Sequence, residues 1–139
     1  MKLGVASEED VDRWLRGIGL KSLEKTDTGN WYFLQKYKDS EIQINITYDE
    51  NESPIPPMVG VGCFFLEQPK KNQCELYKKL LEFQAGSVDT KFVMISSGAI
   101  ILVTQRSAVD LDPSELQDMI DMILIMYNQY HEDCLSIIS

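Results

Sequence analysis

The chain has 139 residues, a mass of 15.9 kDa and a formal net charge of −9, from 13 basic and 22 acidic side chains. This length suits a single domain over residues 1–139 that buries its own core without a disulfide framework or a metal. Apolar residues make up 44% of the chain and charged residues 25%, which is typical of a globular domain and excludes a disordered one. The negative charge repels phosphate backbones and anionic lipids, so we expect neither nucleic acid nor a membrane as a partner.

The beginning of the chain and the cysteines bear on the location of the protein. No apolar run approaches the ~20 residues that span a bilayer, and residues 1–5 lack the apolar stretch of a signal peptide. The cysteines, Cys63, Cys74 and Cys134, are odd in number and far apart, which indicates reduced thiols. We therefore expect a cytoplasmic protein.

A helix is predicted near the beginning of the chain. Ser7 can cap it, and acidic residues follow at 8–10, where the helix dipole favours negative charge. Apolar residues at steps of three and four then share one face, namely Val11, Trp14, Leu15 and Ile18. Gly17 and Gly19 end the helix.

Three strands are predicted next. Residues 31–38 are rich in aromatics, and residues 41–48 alternate between apolar and polar, as a half-buried antiparallel strand does. Residues 58–66 form a third strand that is apolar on both faces. Its Gly60 and Gly62 indicate a bulge or a close approach of another part of the chain.

A second helix and a hairpin follow. Asn72 begins the helix, with Glu75 as the partner in a capping box. The inner side of this helix is predicted to hold Tyr77, Leu80, Leu81 and Gln84. Two strands, 91–95 and 99–104, then flank a tight turn at 97–98.

The last helix has the best-marked beginning in the chain. Asp112 is the N-cap, Pro113 occupies the first helical position, Glu115 can close a capping box, and the helix is expected to end near Cys134. The predicted order is α-β-β-β-α-β-β-α. With short connections this order gives an α+β domain, in which an antiparallel sheet of about five strands packs against three helices.

Catalytic or metal chemistry finds little support in the pattern. His131 is the only histidine and has no catalytic partner at a recognisable spacing, so we predict a packing or helix-end role. Cys63 lies in an apolar strand, whereas Cys74 lies in the first turn of a helix, where the dipole favours an anion. The run Gly-Val-Gly at 60–62 lies inside a strand, and the acidic loop at 49–52 lacks the spacing of a calcium loop. We therefore expect no catalytic residue, no cofactor and no metal.

The last helix carries more apolar surface than one neighbouring layer needs. At ~100° per residue, one face holds Leu116, Met119, Ile120, Ile123, Tyr127, Tyr130 and Cys134. Four more residues widen the apolar arc to roughly 200°, where ~100° suffices for a helix on one surface; they are Met122, Leu124, Met126 and Leu135. Ile125 lies outside even this arc. Because methionines suit surfaces that accept varied apolar partners, we predict an interaction surface made of Met119, Met122, Ile125 and Met126.

The sheet has a similar surplus, since residues 64–66 and 100–103 are apolar on both faces. Two arrangements fit this pattern. Either the first and last helices cover opposite faces of the sheet and leave little exposed, or one apolar surface remains for self-association or for a partner.

The element order, the run Leu111-Asp112-Pro113-Ser114-Glu115-Leu116 and the later Tyr127-Asn128-Gln129-Tyr130 resemble the YbjN family, which is similar in fold to the class I type III secretion chaperones. The resemblance covers nearly the whole chain as a pattern. It implies a non-enzymatic, cytoplasmic and commonly dimeric bacterial protein with an acidic surface. YbjN-like proteins are described as sensory-transduction regulators, and secretion chaperones hold an extended client segment against apolar patches. The resemblance supplies no catalytic residue.

Three functions stay open from the sequence. The first is a homodimeric protein-binding module that holds or regulates a partner. The second is a small-molecule or enzymatic role in a pocket between sheet and helices, with Tyr32, Tyr37, Tyr48 and His131 as polar lining. The third is an immunity or inhibitor protein, for which strong acidity suits a basic toxin.

Overall fold

The computed structural model of the protein describes residues 4–20, 22–87 and 89–139. These residues form three helices, which are α1 (Glu8–Ile18), α2 (Gln73–Ala85) and α3 (Pro113–Ile138). They also form six strands, which are β1 (Glu24–Lys25), β2 (Trp31–Tyr37), β3 (Ser40–Asp49), β4 (Met58–Leu66), β5 (Thr90–Met94) and β6 (Ile100–Ser107). The predicted α+β class is confirmed. The additional strand, β1, has only two residues, too few for any periodicity to reveal it.

The six strands form one antiparallel sheet in the order β1-β2-β3-β4-β6-β5. The hairpin of β5 and β6 therefore extends the sheet beyond β4, with β6 next to β4 and β5 at the edge. Directly opposite residues of antiparallel strands share a face. Ile44, Cys63 and Leu102 form one such row and are all buried. This row marks the inner face of the sheet.

The helices pack on the inner face. Val11 and Leu15 of α1 belong to the same buried cluster as the core residues of α3, and α1 also contacts α3. The arrangement in which the first and last helices cover opposite faces is therefore wrong. In the part of the chain that the structure describes, no helix covers the outer face, where Asn45 and Val103 are only half-buried.

The caps at the beginnings of α1 and α3 follow the sequence, whereas the cap of α2 does not. Ser7 and Asp10 form a reciprocal capping box at α1, and the Asp112 carboxylate accepts a hydrogen bond from the Glu115 N–H at α3. The capping box predicted at α2 is wrong. Asn72 has a left-handed backbone (φ 56°), and its side-chain amide donates instead to the Ile137 carbonyl, 2.7 Å away at the end of α3.

Three further predictions need correction. Leu81 is 67% exposed and does not lie on the inner side of α2, where Leu76 and Leu80 are buried. Gly17 lies inside α1, and only Gly19 ends it, with a left-handed backbone. The last helix continues beyond Cys134 to Ile138.

The sequence predicts either a bulge or a close approach of another part of the chain at the glycines of β4, and the structure has the close approach. A Cβ atom at Gly62 would lie 2.9 Å from the Leu102 carbonyl oxygen and from Val103 Cγ1. The bulge occurs later in the strand, where the register shifts between Phe64 and Leu66. As a result, the consecutive residues Phe65 and Leu66 are both buried, while Phe64 is 51% exposed on the outer face.

Candidate interaction surfaces

The four residues predicted as an interaction surface lie together on α3. Met119 and Met126 are almost fully buried, whereas Met122 is 42% exposed and Ile125 is 54% exposed. All four line a groove of about 280 Å³ between α3, the end of α2 and the beginning of β5. We call this the α3 groove. The buried methionines form its floor, and the two exposed side chains form its rim.

Aromatic packing holds the far wall of the α3 groove. Phe83 of α2 stacks on Tyr130 of α3, with ring centroids 3.9 Å apart and ring planes at 17°. Both residues line the groove. This stacked pair couples α2 to α3 at the groove.

The polar lining of the α3 groove includes an unsatisfied hydroxyl. Thr90 is 2% exposed, and its Oγ1 has no hydrogen-bonding partner among the described residues. A buried polar atom without a partner costs free energy. Arg106, also in the lining, binds Asp89 at 3.1 Å and contacts Glu115 at 3.7 Å.

Exposed carboxylates lie on the two helices that form the α3 groove. Asp118 and Asp121 precede the rim residue Met122 on α3 and are both exposed. Glu82 lies next to Phe83 on α2 and is also exposed. An apolar floor with exposed carboxylates on these helices favours an occupant with apolar side chains and positive charge beside them.

A second surface lies on the outer face of the sheet. It contains a depression of about 470 Å³ that runs over β3, β4, β6 and β5. Phe64 protrudes at one end, and Gly60 and Gly62 form a gap beside it. Among the described residues that line the depression, Lys91 is the sole charged one. We call this surface the outer sheet face.

The edge of the sheet at β5 is closed to an added strand along part of its length. The Phe92 N–H points away from β6 and donates to Gln84 Oε1 of α2 at 2.8 Å. The Thr90 N–H donates to Ser87 Oγ at 3.1 Å. Because these side chains satisfy the outward N–H groups, the faces of the sheet and the α3 groove offer better docking sites than this edge.

Two of the three thiols are buried and poorly nucleophilic. Burial raises the pKa of Cys63 to about 12 and the pKa of Cys134 to about 11, so both stay protonated at neutral pH. Cys74 is exposed at the beginning of α2. All three cysteines are free thiols, as expected from their number and spacing.

His131 lies in an aromatic cluster. Its ring stacks on Tyr127 with centroids 4.4 Å apart, and its Nε2 lies 3.2 Å from the Tyr127 hydroxyl. Tyr37 and Phe65 meet the same ring edge to face. Burial lowers the pKa of His131, and the charge of Lys38 acts in the same direction, while the Phe65 backbone opposes the shift. This is the packing role that the sequence predicts.

The tyrosines proposed as a pocket lining are not brought together. Tyr37 lies in the aromatic cluster with His131. The Tyr48 hydroxyl donates to the Ala6 carbonyl at 2.7 Å beside α1, and Tyr32 shares the outer face with its opposite residue Asn45. Tyr37 and His131 therefore lie together, but the four side chains do not line one pocket.

Within residues 4–20, 22–87 and 89–139, no group of three or more histidine, cysteine or acidic side chains is placed to hold a metal ion. The acidic residues Asp49, Glu50 and Glu52 are exposed. None of the described helices is both long and apolar enough to cross a bilayer.

Comparison with models of known protein families and with curated proteins finds no match to this chain.

Sequence reasoning located the α3 residues but missed the other side of their groove. Phe83, Thr90 and Arg106 lie far from α3 along the chain, and no spacing connects them to Met122 or Ile125. The outer sheet face had a signal in the sequence, namely the strands that are apolar on both faces.

Proposed function

We propose that the protein is a non-enzymatic, cytoplasmic protein-binding module that acts as a homodimer and holds an apolar segment of a partner protein in the α3 groove. The observation that carries this proposal is the exposure of Met122 and Ile125 above the buried floor of Met119 and Met126. Isolated exposed apolar residues are ordinary, but a rim and floor that share one groove form a continuous apolar site.

The chemistry of the site defines the expected partner segment. Methionine side chains adapt to varied apolar partners, so the groove suits a segment with two or three large apolar residues and no fixed shape. The nearby carboxylates and the net charge of −9 favour basic residues beside them.

This function agrees with the resemblance to the YbjN family and to secretion chaperones, which implies a regulator of sensory transduction or a protein that holds a client segment. It also agrees with an inhibitor of a basic protein, because that target carries the positive charge that we expect in the partner segment. The identity of a captured partner separates these roles.

Synthetic peptides test the proposal directly. A fluorescent peptide with a Leu-Ile-Leu core and lysine flanks is titrated with the protein, and the same core with glutamate flanks serves as the charge control. We expect the lysine-flanked peptide to bind at least about tenfold more tightly, and salt to weaken it. If neither peptide binds, the proposal is contradicted.

Two variants locate the binding. Ile125→Asp places a charge on the rim and is expected to weaken the lysine-flanked peptide about tenfold or more. Leu135→Asp is the matched control, because Leu135 is also exposed on α3 (43%) but does not line the α3 groove. Equal loss of binding in both variants would exclude the groove as the site. Affinity capture with the native protein and the Ile125→Asp variant then identifies partners that depend on the rim.

A further inference from the structure

The outer sheet face differs in charge from the rest of the molecule. The chain carries 22 acidic residues, yet none of the described residues that line its central depression is acidic. Apolar side chains occupy the middle of the face, with Phe64 about half exposed and Val93, Ile101 and Val103 partly exposed. Depletion of charge and enrichment of aromatic residues are features of the cores of protein interfaces.

The same face contains both a projection and a gap. Phe64 is the projection, 51% exposed. Gly60 and Gly62 lie on the same strand and the same face, four and two positions earlier, and the depression above them forms the gap. A Cβ atom at Gly60 would lie 2.7 Å from Thr47 Oγ1, and one at Gly62 would meet Val103. Thr47 and Val103 therefore already lie over the glycine positions, so no larger residue fits there, and the gap is the depression above these side chains.

We propose that a second copy of this chain packs its outer sheet face against the first about a two-fold axis, with Phe64 of each copy inserted beside Gly60 and Gly62 of the other. A two-fold interface uses the same patch on both copies. The projection of each copy therefore fills the gap of the other copy, and the same contact is made twice. Residues two positions apart on a strand are ~7 Å apart, which allows both insertions near one axis. This inference rests on the homodimer of the proposed function and assigns its interface.

The size of the face is sufficient for a stable dimer. The sheet has six strands, of which β3 and β4 have 10 and 9 residues. At strand spacings of ~4.8 Å and rises of ~3.4 Å per residue, the face measures about 24 Å by 30 Å. The area of this flat face, about 700 Å², is close to the ~800 Å² that each partner contributes to a standard interface. Protruding side chains add further surface to it.

Charge favours a second copy on this face over a basic partner. Two molecules of net charge −9 repel each other, and the repulsion is smallest where the centre of the contact holds no carboxylate. The acidic residues of this face, Glu24, Glu41 and Asp49, lie outside the central depression. A basic partner would gain little at the centre, because Lys91 is the sole charged one among the described residues that line the depression. Added salt screens the repulsion, so salt is expected to tighten this dimer, whereas it weakens binding of a basic peptide to the α3 groove.

Sedimentation equilibrium of the full chain tests the interface over a range of protein and salt concentrations. We expect a monomer–dimer equilibrium that shifts toward dimer as NaCl is raised. Phe64→Asp is expected to weaken dimerisation about a hundredfold or more, since it removes both insertions and adds two charges. Ile55→Asp is the control, because Ile55 is 59% exposed in the loop before β4 and outside the depression, and it is expected to leave the dimer unchanged.

Phe64→Ser provides a second variant that removes the projection without adding charge, and circular dichroism of both variants verifies the fold. A monomer at all concentrations, or a dimer that withstands both Phe64 substitutions, overturns this proposal. Dissociation by Ile125→Asp but not by Phe64→Asp also overturns it, because the copies then meet at the α3 groove. Binding of the lysine-flanked peptide by a monomeric protein would overturn this interface alone and leave the partner site standing.

Discussion

The indole Nε1 of Trp31 donates a hydrogen bond of 2.9 Å to Oδ1 of Asp12 and so joins β2 to α1. Trp31 is 1% exposed, and its N–H needs an acceptor inside the protein. The other Asp12 oxygen accepts from Arg16 Nε at 3.0 Å. Hydrogen bonds from Arg16 and Trp31 lower the pKa of Asp12, so this carboxylate remains charged well into the acidic range.

Asp12→Ala is expected to lower the free energy of unfolding by about 1–3 kcal/mol, because it leaves the buried Trp31 N–H without its acceptor. Urea denaturation followed by tryptophan fluorescence measures this change. Arg16→Gln is the matched control, since it removes only the exposed ion pair and leaves the acceptor of Trp31 in place. Equal loss of stability in the two variants would show that the ion pair, and not the indole contact, holds α1.

Acidification is expected to destabilise the protein through His131. Because burial lowers the pKa of His131 below 6.5 in the folded state, the unfolded chain takes up its proton at a higher pH than the folded chain. The contribution of His131 is therefore complete above pH 6.5 and is lost as the pH falls through its folded-state pKa.

The free energy of unfolding is measured between about pH 8 and 5.5, where most carboxylates stay ionised. We expect it to fall with decreasing pH in the native protein and to fall less in His131→Gln. The glutamine keeps a polar group near the Tyr127 hydroxyl, which lies 3.2 Å from the imidazole. Parallel pH profiles for the two proteins would refute a role for His131 in this range.

Thiol labelling is expected to distinguish the cysteines. Cys74 is exposed, whereas Cys63 and Cys134 are buried, and burial raises the pKa of both. In the native protein an aromatic disulfide reagent should therefore react quickly with one thiol, and with all three after denaturation. Cys74→Ser removes the fast reaction. A fast reaction of a second thiol would mean that the core around β4 or α3 opens readily.

Gln84→Met is expected to expose the edge of the sheet at β5. The substitution removes the acceptor that lies 2.8 Å from the Phe92 N–H while keeping a side chain of similar length. Hydrogen exchange of the Phe92 amide should then be faster, since its protecting bond is lost. Glu82→Gln on the same helix is exposed and serves as the control. Unchanged exchange at Phe92 would indicate that α2 itself, and not the glutamine, shields the edge.

Short-range patterns predicted most of the elements. Ser7, Gly19 and Asp112 mark helix ends through bonds that span three or four residues, so the sequence near each end suffices to locate it. The alternation in β3 predicted its buried residues for the same reason. Asn72 failed as a capping-box residue because its side chain bonds to Ile137, 65 positions away, a contact that no local pattern contains.

The sequence alone determined the α+β class, the beginnings of α1 and α3 and the surplus of apolar residues on α3, because propensity, capping and periodicity act over a few residues. Only the tertiary structure decided how that surplus is divided. It put α1 and α3 on the same face of the sheet, which buried Met119 and Met126 and left Met122 and Ile125 at the surface. None of the helices among the described residues covers the outer face. The physical reason is that the side of the sheet on which a helix packs depends on contacts between residues far apart in the chain, and those contacts leave no period in the sequence.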